Sequence, residues 1–227
     1  MRLLLLHGAG LGSWIWDRVL PHLTAPAEAI DLPGRSNPRE VTLPACVDAV
    51  VGRVHASPEP CVLVGHSISA EIALAVAAND RTRVASIVLI GGVVPESGKS
   101  FLSTLPLPQR LFLGVLLRRA KKGIALPKAA VEKGYCNDLD EETTELVLSR
   151  VVREAPRLYL DPVPWGDVRA NLPRIYVKLT KDKSVSVKQQ ERFLTRVHAT
   201  SVASIDSGHL PMLGRPDELA RILNSLK

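Results

Sequence analysis

In Cys61-Val-Leu-Val-Gly-His-Ser-Ile-Ser-Ala-Glu-Ile-Ala-Leu, an apolar run leads into Gly65-His66-Ser67-Ile68-Ser69 and directly on into a helix-type pattern. A serine at a strand-to-helix junction sits on a tight, strained turn that lifts its hydroxyl clear of the sheet. Residues two before and two after it face neighbouring backbone and must be small, as Gly65 and Ser69 are. The competing reading is a serine that only caps the helix. A serine hydroxyl becomes a useful nucleophile when an oriented base takes its proton. His209 is the candidate base, because it follows a β-type run in Ile205-Asp-Ser-Gly-His-Leu-Pro-Met-Leu and precedes the last helix. His7 and His66 lie inside turn motifs and are expected to order backbone. His22, His55 and His198 fall on helices or at their ends. The acid that orients the base is assigned to Asp182, just past the run Arg174–Leu179, with Asp206 and Asp161 as rivals.

Acyl chemistry also needs donors for the developing oxyanion. In Leu6-His7-Gly8-Ala9-Gly10 a strand ends in a glycine-rich turn, which leaves backbone N–H groups free. The N–H groups of Ala9 and of Ile68, just after the serine, form the expected pair. A phosphate loop is disfavoured, since the lysine and Ser/Thr of that motif and the GxGxxG spacing are missing.

These groups need a scaffold that brings strand ends together. Strand-type runs at Arg2–Leu6, Glu28–Asp31, Cys61–Gly65, Ala85–Ile90, Arg174–Leu179 and Ser201–Ile205 alternate with helix-type runs. The latter cover Trp14–Leu23, Ala45–His55, Ile68–Ala78, Val187–Val197 and Pro216–Leu226. This is the signature of a parallel sheet covered by helices, with sites beyond the strands' carboxyl ends. Between Pro95 and Pro164 the strands vanish, and helical stretches are expected at Gln109–Lys122, Pro127–Lys133 and Glu141–Arg153. The organisation predicted is a core over 1–94, a helical cap insertion over 95–165 and the rest of the core over 166–227.

The 227 residues, 46% hydrophobic and 23% charged, suit one domain with an insertion and exclude wholesale disorder. Lys and Arg number 29 against 23 acids, a net +6. Seven of those bases (Arg110, Arg118, Arg119, Lys121, Lys122, Lys128, Lys133) and one acid (Glu132) fall within 110–133, leaving 22 of each sign elsewhere. A uniformly basic nucleic-acid binder is therefore excluded in favour of one basic segment in a neutral protein. Three scattered cysteines form neither a disulfide framework nor a zinc site. No run is long enough to span a bilayer, and the opening leucines are too short for a secretory signal, so a reducing cytoplasm is expected.

The whole pattern resembles the α/β-hydrolase superfamily, whose serine, acid and histidine follow one another in the order of Ser67, Asp182 and His209. Within it, the chain resembles the compact methylesterase and hydroxynitrile lyase branch. It shares Gly12-Ser-Trp-Ile-Trp16, Asp31-Leu-Pro-Gly, Gly-His-Ser, Thr180-Lys-Asp-Lys183 and Gly208-His-Leu-Pro-Met-Leu213. The resemblance implies an α/β fold with a mostly parallel sheet of about six strands, no metal or organic cofactor, and Gly8, Trp14 and Leu210 near substrate. It also shows departures. Ser69 stands where the family has glycine, and Gly8 and Leu210 stand where lyases of this type carry threonine and lysine. The esterase side is therefore implied.

The expected activity is cleavage of a small-molecule ester, thioester or lactone through an acyl-enzyme, with anionic and carrier-bound acyl groups both open. A lyase or cyclase on the same triad and a non-catalytic binding protein are the alternatives. A homodimer is left open. The low aromatic content, 4%, predicts an aliphatic pocket. The basic segment is read as a cap helix with one face on the core and a solvated cationic end; contact with an anionic partner is the sharper alternative.

Overall fold

The computed structural model describes residues 1–80 and 82–226; Lys227, the last residue of the second core segment, lies outside them. Six strands, β1 (Arg2–Leu6), β2 (Ala27–Ile30), β3 (Cys61–His66), β4 (Val84–Ile90), β5 (Arg174–Leu179) and β6 (Ser201–Ile205), form one sheet in the order β2-β1-β3-β4-β5-β6. Every neighbouring pair is parallel. Central strands of such a sheet are buried on both faces, which is why β3 reads as unbroken apolar sequence. Side chains alternate between two cores. Leu4, Leu6, Leu63, Leu89 and Tyr176 enter one; Leu3, Leu5, Val62, Val64, Val88 and Val177 enter the other.

Helix α1 (Leu43–His55) opens on the Thr42 hydroxyl, which accepts from the Ala45 N–H at 3.2 Å. Helix α2 (Ser69–Asn79) packs on β3, β4 and α1, and its residues 69–77 are all buried. The stretch expected as a helix over Trp14–Leu23 is instead two short 3-10 helices, Ser13–Trp16 and Leu20–His22. Pro21 has no N–H to continue an α-helical ladder, and the turns here close by bonds to the residue three before, such as Val19 to Trp16.

Between β4 and β5 no described residue joins the sheet. A 3-10 helix (Phe101–Thr104) precedes α3 (Leu107–Arg119), α4 (Lys128–Gly134), α5 (Glu141–Arg150) and α6 (Pro156–Leu160). The Asp140 carboxylate caps α5 by accepting from the Thr143 N–H at 2.7 Å. An antiparallel bridge between Ile124 and Glu154 closes this insertion. The chain then forms α7 (Val187–Arg196), opened by a capping box of Ser186 and Gln189, then α8 (Pro211–Gly214) and α9 (Pro216–Asn224). Phe193 of α7 enters the first core and Leu219 and Leu223 of α9 the second.

Candidate active site

Strand β1 has β2 on one side and β3 on the other, so the crossovers leave it in opposite directions. The loops after β1 and β3 therefore diverge and leave a crevice at the strands' carboxyl ends. Leu6 and Gly65 are paired across that line. The glycine-rich turn and the Ser67 turn are neighbours because of this topology.

Ser67 adopts φ +55°, the left-handed region that costs a non-glycine residue about 1–3 kcal/mol. Backbone bonds hold it there. Its N–H donates to the Ile90 carbonyl at 3.0 Å, and its carbonyl accepts from Val93 at 3.0 Å and Ala70 at 3.2 Å. A Cβ at Gly65 would stand 2.6 Å from the Ser69 carbonyl oxygen, which explains the small residue required there. Ser69 departs from the family's glycine usefully. Its hydroxyl donates to the His7 carbonyl and ties the turn after β3 to the turn after β1.

The structure brings Ser67, Asp182 and His209 into one hydrogen-bonded row. With the proton assigned to Nδ1, His209 donates to Asp182 Oδ2 at 2.7 Å, and its Nε2 accepts from the Ser67 hydroxyl at 3.0 Å. The other oxygen of Asp182 accepts the N–H groups of Ser184 at 2.7 Å and Val185 at 2.9 Å, which leaves Oδ2 for the imidazole. Asp206 is engaged elsewhere, on Lys181 and Thr180, and Asp161 on Arg157 and the Leu43 N–H. All three members are buried, Ser67 keeping 6% exposure.

His66 and His7 serve the backbone. His66 Nε2 donates to the His209 carbonyl at 2.8 Å, and its ring lies 4.7 Å from that of His209. Burial holds its pKa well below 6.5, so it stays neutral beside His209. His7 donates from Nδ1 to the Gly8 carbonyl at 2.9 Å and accepts the Leu32 N–H on Nε2 at 3.1 Å. Burial lowers its pKa to about 4.

Among the described residues, neither the Ala9 nor the Ile68 N–H meets an acceptor, although both residues are buried. Three groups fix the Ala9 loop. The Tyr135 hydroxyl donates to the Ala9 carbonyl at 3.2 Å. The Glu154 carboxylate accepts the Gly10 N–H at 2.8 Å and the Arg35 guanidinium at 2.5 Å. The Val152 N–H donates to the Gly10 carbonyl at 2.9 Å. Tyr135 and Glu154 were missed in the sequence. A lone tyrosine and a lone glutamate carry no local signal, and their roles exist only once the insertion is laid over the β1 loop.

A cleft of about 470 Å³ runs along the insertion past Phe101, Phe112, Leu126, Tyr135, Tyr159 and Ser184. The Tyr135 ring lies 4.9 Å from that of His209. Four of the chain's nine aromatic residues line this cleft beside Leu105, Leu113, Leu126, Ala130 and Val131, so the few aromatics gather here among aliphatic side chains. Leu210 and Trp14, also expected near substrate, have these neighbours in the free protein. Leu210 is fully buried in the second core, where the chain turns into α8. Trp14 lies under the Arg150 guanidinium, 5.4 Å from its ring centre, and not in the cleft wall. Gly8 is at the crevice: a Cβ there would stand 2.7 Å from His66 Nδ1 and 3.2 Å from Ser67 Cβ, leaving no room for a threonine. A larger cavity of about 800 Å³ lies against α1, α2 and the end of the insertion; none of Ser67, Asp182 and His209 lines either cavity, but the smaller one reaches His209 through Tyr135.

Comparisons with known proteins bear on the family and the fold. Over 91 residues, 38% of this chain, it is 35% identical to the biotin biosynthesis bifunctional protein BioHC of Cellvibrio japonicus (strain Ueda107), a match covering 18% of that protein. It is 24% identical to the putative chloroplastic methylesterase 13 of Arabidopsis thaliana, over 98% of this chain and 55% of that one. The chain thus spans about half the length of that methylesterase. The fold matches an extracellular alpha/beta-hydrolase from a Paenibacillus species with a TM-score of 0.90 at 16% identity, covering 98% and 97% of the two chains. The model of the alpha/beta hydrolase family matches residues 3–222, and the chain belongs to that family.

Proposed function

We propose that the chain is a serine hydrolase that cleaves a small carboxylic ester, thioester or lactone through an acyl-enzyme. The single observation carrying this is the hydrogen-bonded row Ser67–His209–Asp182 beside the N–H groups of buried Ala9 and Ile68, which meet no acceptor among the described residues. Ser67 Oγ attacks the carbonyl carbon as its proton passes to His209 Nε2. Asp182 keeps the imidazole in the right tautomer and stabilises the imidazolium. The Ala9 and Ile68 N–H groups accommodate the oxyanion, each such donor contributing about 3–4 kcal/mol in comparable sites. The imidazolium then protonates the leaving alcohol, and water, deprotonated by His209, releases the acid. Segment 95–165 acts as the cap, its aromatic cleft holding the acyl or alcohol group.

The lyase alternative is not favoured: Gly8 has no room for a larger side chain, and Leu210 is held in the core. The test is labelling by a fluorophosphonate together with turnover of a graded ester series, native against Ser67→Ala. Ser67-dependent labelling and a loss of turnover of at least about 10⁴-fold are expected. No labelling and no ester turnover in the native protein would overturn the reading in favour of a binding role.

A further inference from the structure

From Leu111 to Leu117 helix α3 carries only apolar residues and glycine around its whole circumference, a pattern that belongs in a core or at a lipid boundary. Here it buries only Gly114 and Leu117. On its outer side Leu107, Leu111, Phe112, Val115 and Leu116 are exposed, Phe112 by 74%. These are five of the eight large exposed hydrophobic side chains among the described residues. At 100° per residue they fill one half of the helix circumference, and Arg118 and Arg119 continue the same side at its end. All seven basic residues of 110–133 are exposed. Among the described residues only Lys128 has a carboxylate within ion-pair distance, Glu132 at 3.7 Å.

An apolar face bordered by unpaired cations is complementary to an anionic lipid surface, where the side chains enter the acyl boundary and the cations meet phosphate. A second copy of the chain fits poorly. Helix α3 contains no acidic residue, so two copies meeting here would juxtapose like charges. We propose that the outer face of α3, with the cations of 110–133, seats the protein on anionic bilayers. Phe112 lines both the outer depression, with Leu111, Val115, Leu116 and Arg119, and the cleft that passes Tyr135. The mouth of the cleft therefore meets the lipid when the helix is seated. Binding itself does not depend on the hydrolase reading.

The test is co-flotation of the Ser67→Ala protein with vesicles of phosphatidylcholine alone or of equimolar phosphatidylcholine and phosphatidylglycerol. Binding to the anionic vesicles is expected, with affinity at least about tenfold weaker on the neutral ones and falling with salt. Replacing Arg118 and Arg119 by Gln weakens binding about fivefold per charge. Leu111→Ser with Phe112→Ser weakens it at least about tenfold, while Val202→Ser, on exposed β6, leaves it unchanged. Unchanged melting temperatures verify that the variants are folded. Equal affinity for both vesicles, no affinity for either, or indifference to the α3 variants overturns the proposal. So does a concentration-dependent dimer that the Leu111 and Phe112 replacements dissolve, which assigns the face to a second copy.

Discussion

Helices α2 and α3 are of similar length and both rich in apolar residues, yet they occupy opposite environments. Helix α2, Ser-Ala-Glu-Ile-Ala-Leu-Ala-Val-Ala-Ala-Asn, is enclosed from residue 69 to 77. Helix α3, Leu-Pro-Gln-Arg-Leu-Phe-Leu-Gly-Val-Leu-Leu-Arg-Arg, keeps two residues buried. Side-chain size explains much of the difference. The alanines of α2 let its axis approach the sheet and α1 closely enough to be surrounded. Leu107, Leu111, Leu116 and Phe112 of α3 reach outward from a helix held by one narrow seam at Leu113, Gly114 and Leu117. Apolar content alone thus does not define the core; how closely neighbours can approach matters as well.

The inner edge of the insertion should behave like α2 rather than like the outer face of α3. Glu154→Ala removes the acceptor for the Gly10 N–H and leaves the largely buried Arg35 unpaired. Breaking a buried pair of this kind costs about 3–5 kcal/mol. At ~2–4 °C per kcal/mol the melting temperature should fall by about 10 °C, and ester turnover should fall with it as the Ala9 loop loosens. A shift as small as that of an α3 surface variant would break the comparison.

The next effect sharpens the cost of enclosing α2. Glu71 is fully buried, neither carboxyl oxygen has a hydrogen-bond partner among the described residues, and burial raises its pKa well above 4.5. The native state therefore holds a proton that the unfolded chain releases above about pH 4.5. Stability associated with this group is fully present below that pH and is lost as pH rises towards the folded value. Glu71→Gln should raise the melting temperature at pH 8 by a few degrees and leave it nearly unchanged near pH 4.5; thermal melts across that range decide it. An equal shift at both ends would show that ionisation is not the cause.

The smallest effect is expected outside. Leu116→Ser, on a residue 47% exposed, should change stability by no more than about 0.5 kcal/mol in a denaturant titration. A larger loss would mean that the face is already covered in the free protein.

Strands were the most legible feature. The ranges of β1, β5 and β6 coincide with those read from sequence; buried β1 leaves a near-continuous apolar run, while β5 and the exposed edge strand β6 show as β-type runs with polar residues interleaved. Ser67, Asp182 and His209 were readable for a related reason: each follows a strand, and the strands' order then brings their ends together. Glu154 was not readable, since its partners Gly10 and Arg35 lie 144 and 119 residues away. The exposure of α3 was also hidden. Its sequence was read as a helix with one face on the core, whereas its apolar residues exceed what the seam at Leu113, Gly114 and Leu117 covers.

The site residues are spread unevenly along the chain. Ala9, Ser67 and Ile68 belong to its first third, while Asp182 and His209 arrive with β5 and β6, the last strands made and the ones nearest one border of the sheet. A chain emerging from the ribosome thus holds Ser67 long before Asp182 and His209 exist to complete the hydrogen-bonded row. The proposed function therefore requires the final strands to dock before any ester is cleaved. Gain of labelling at Ser67 during refolding would accordingly time the closure of that border.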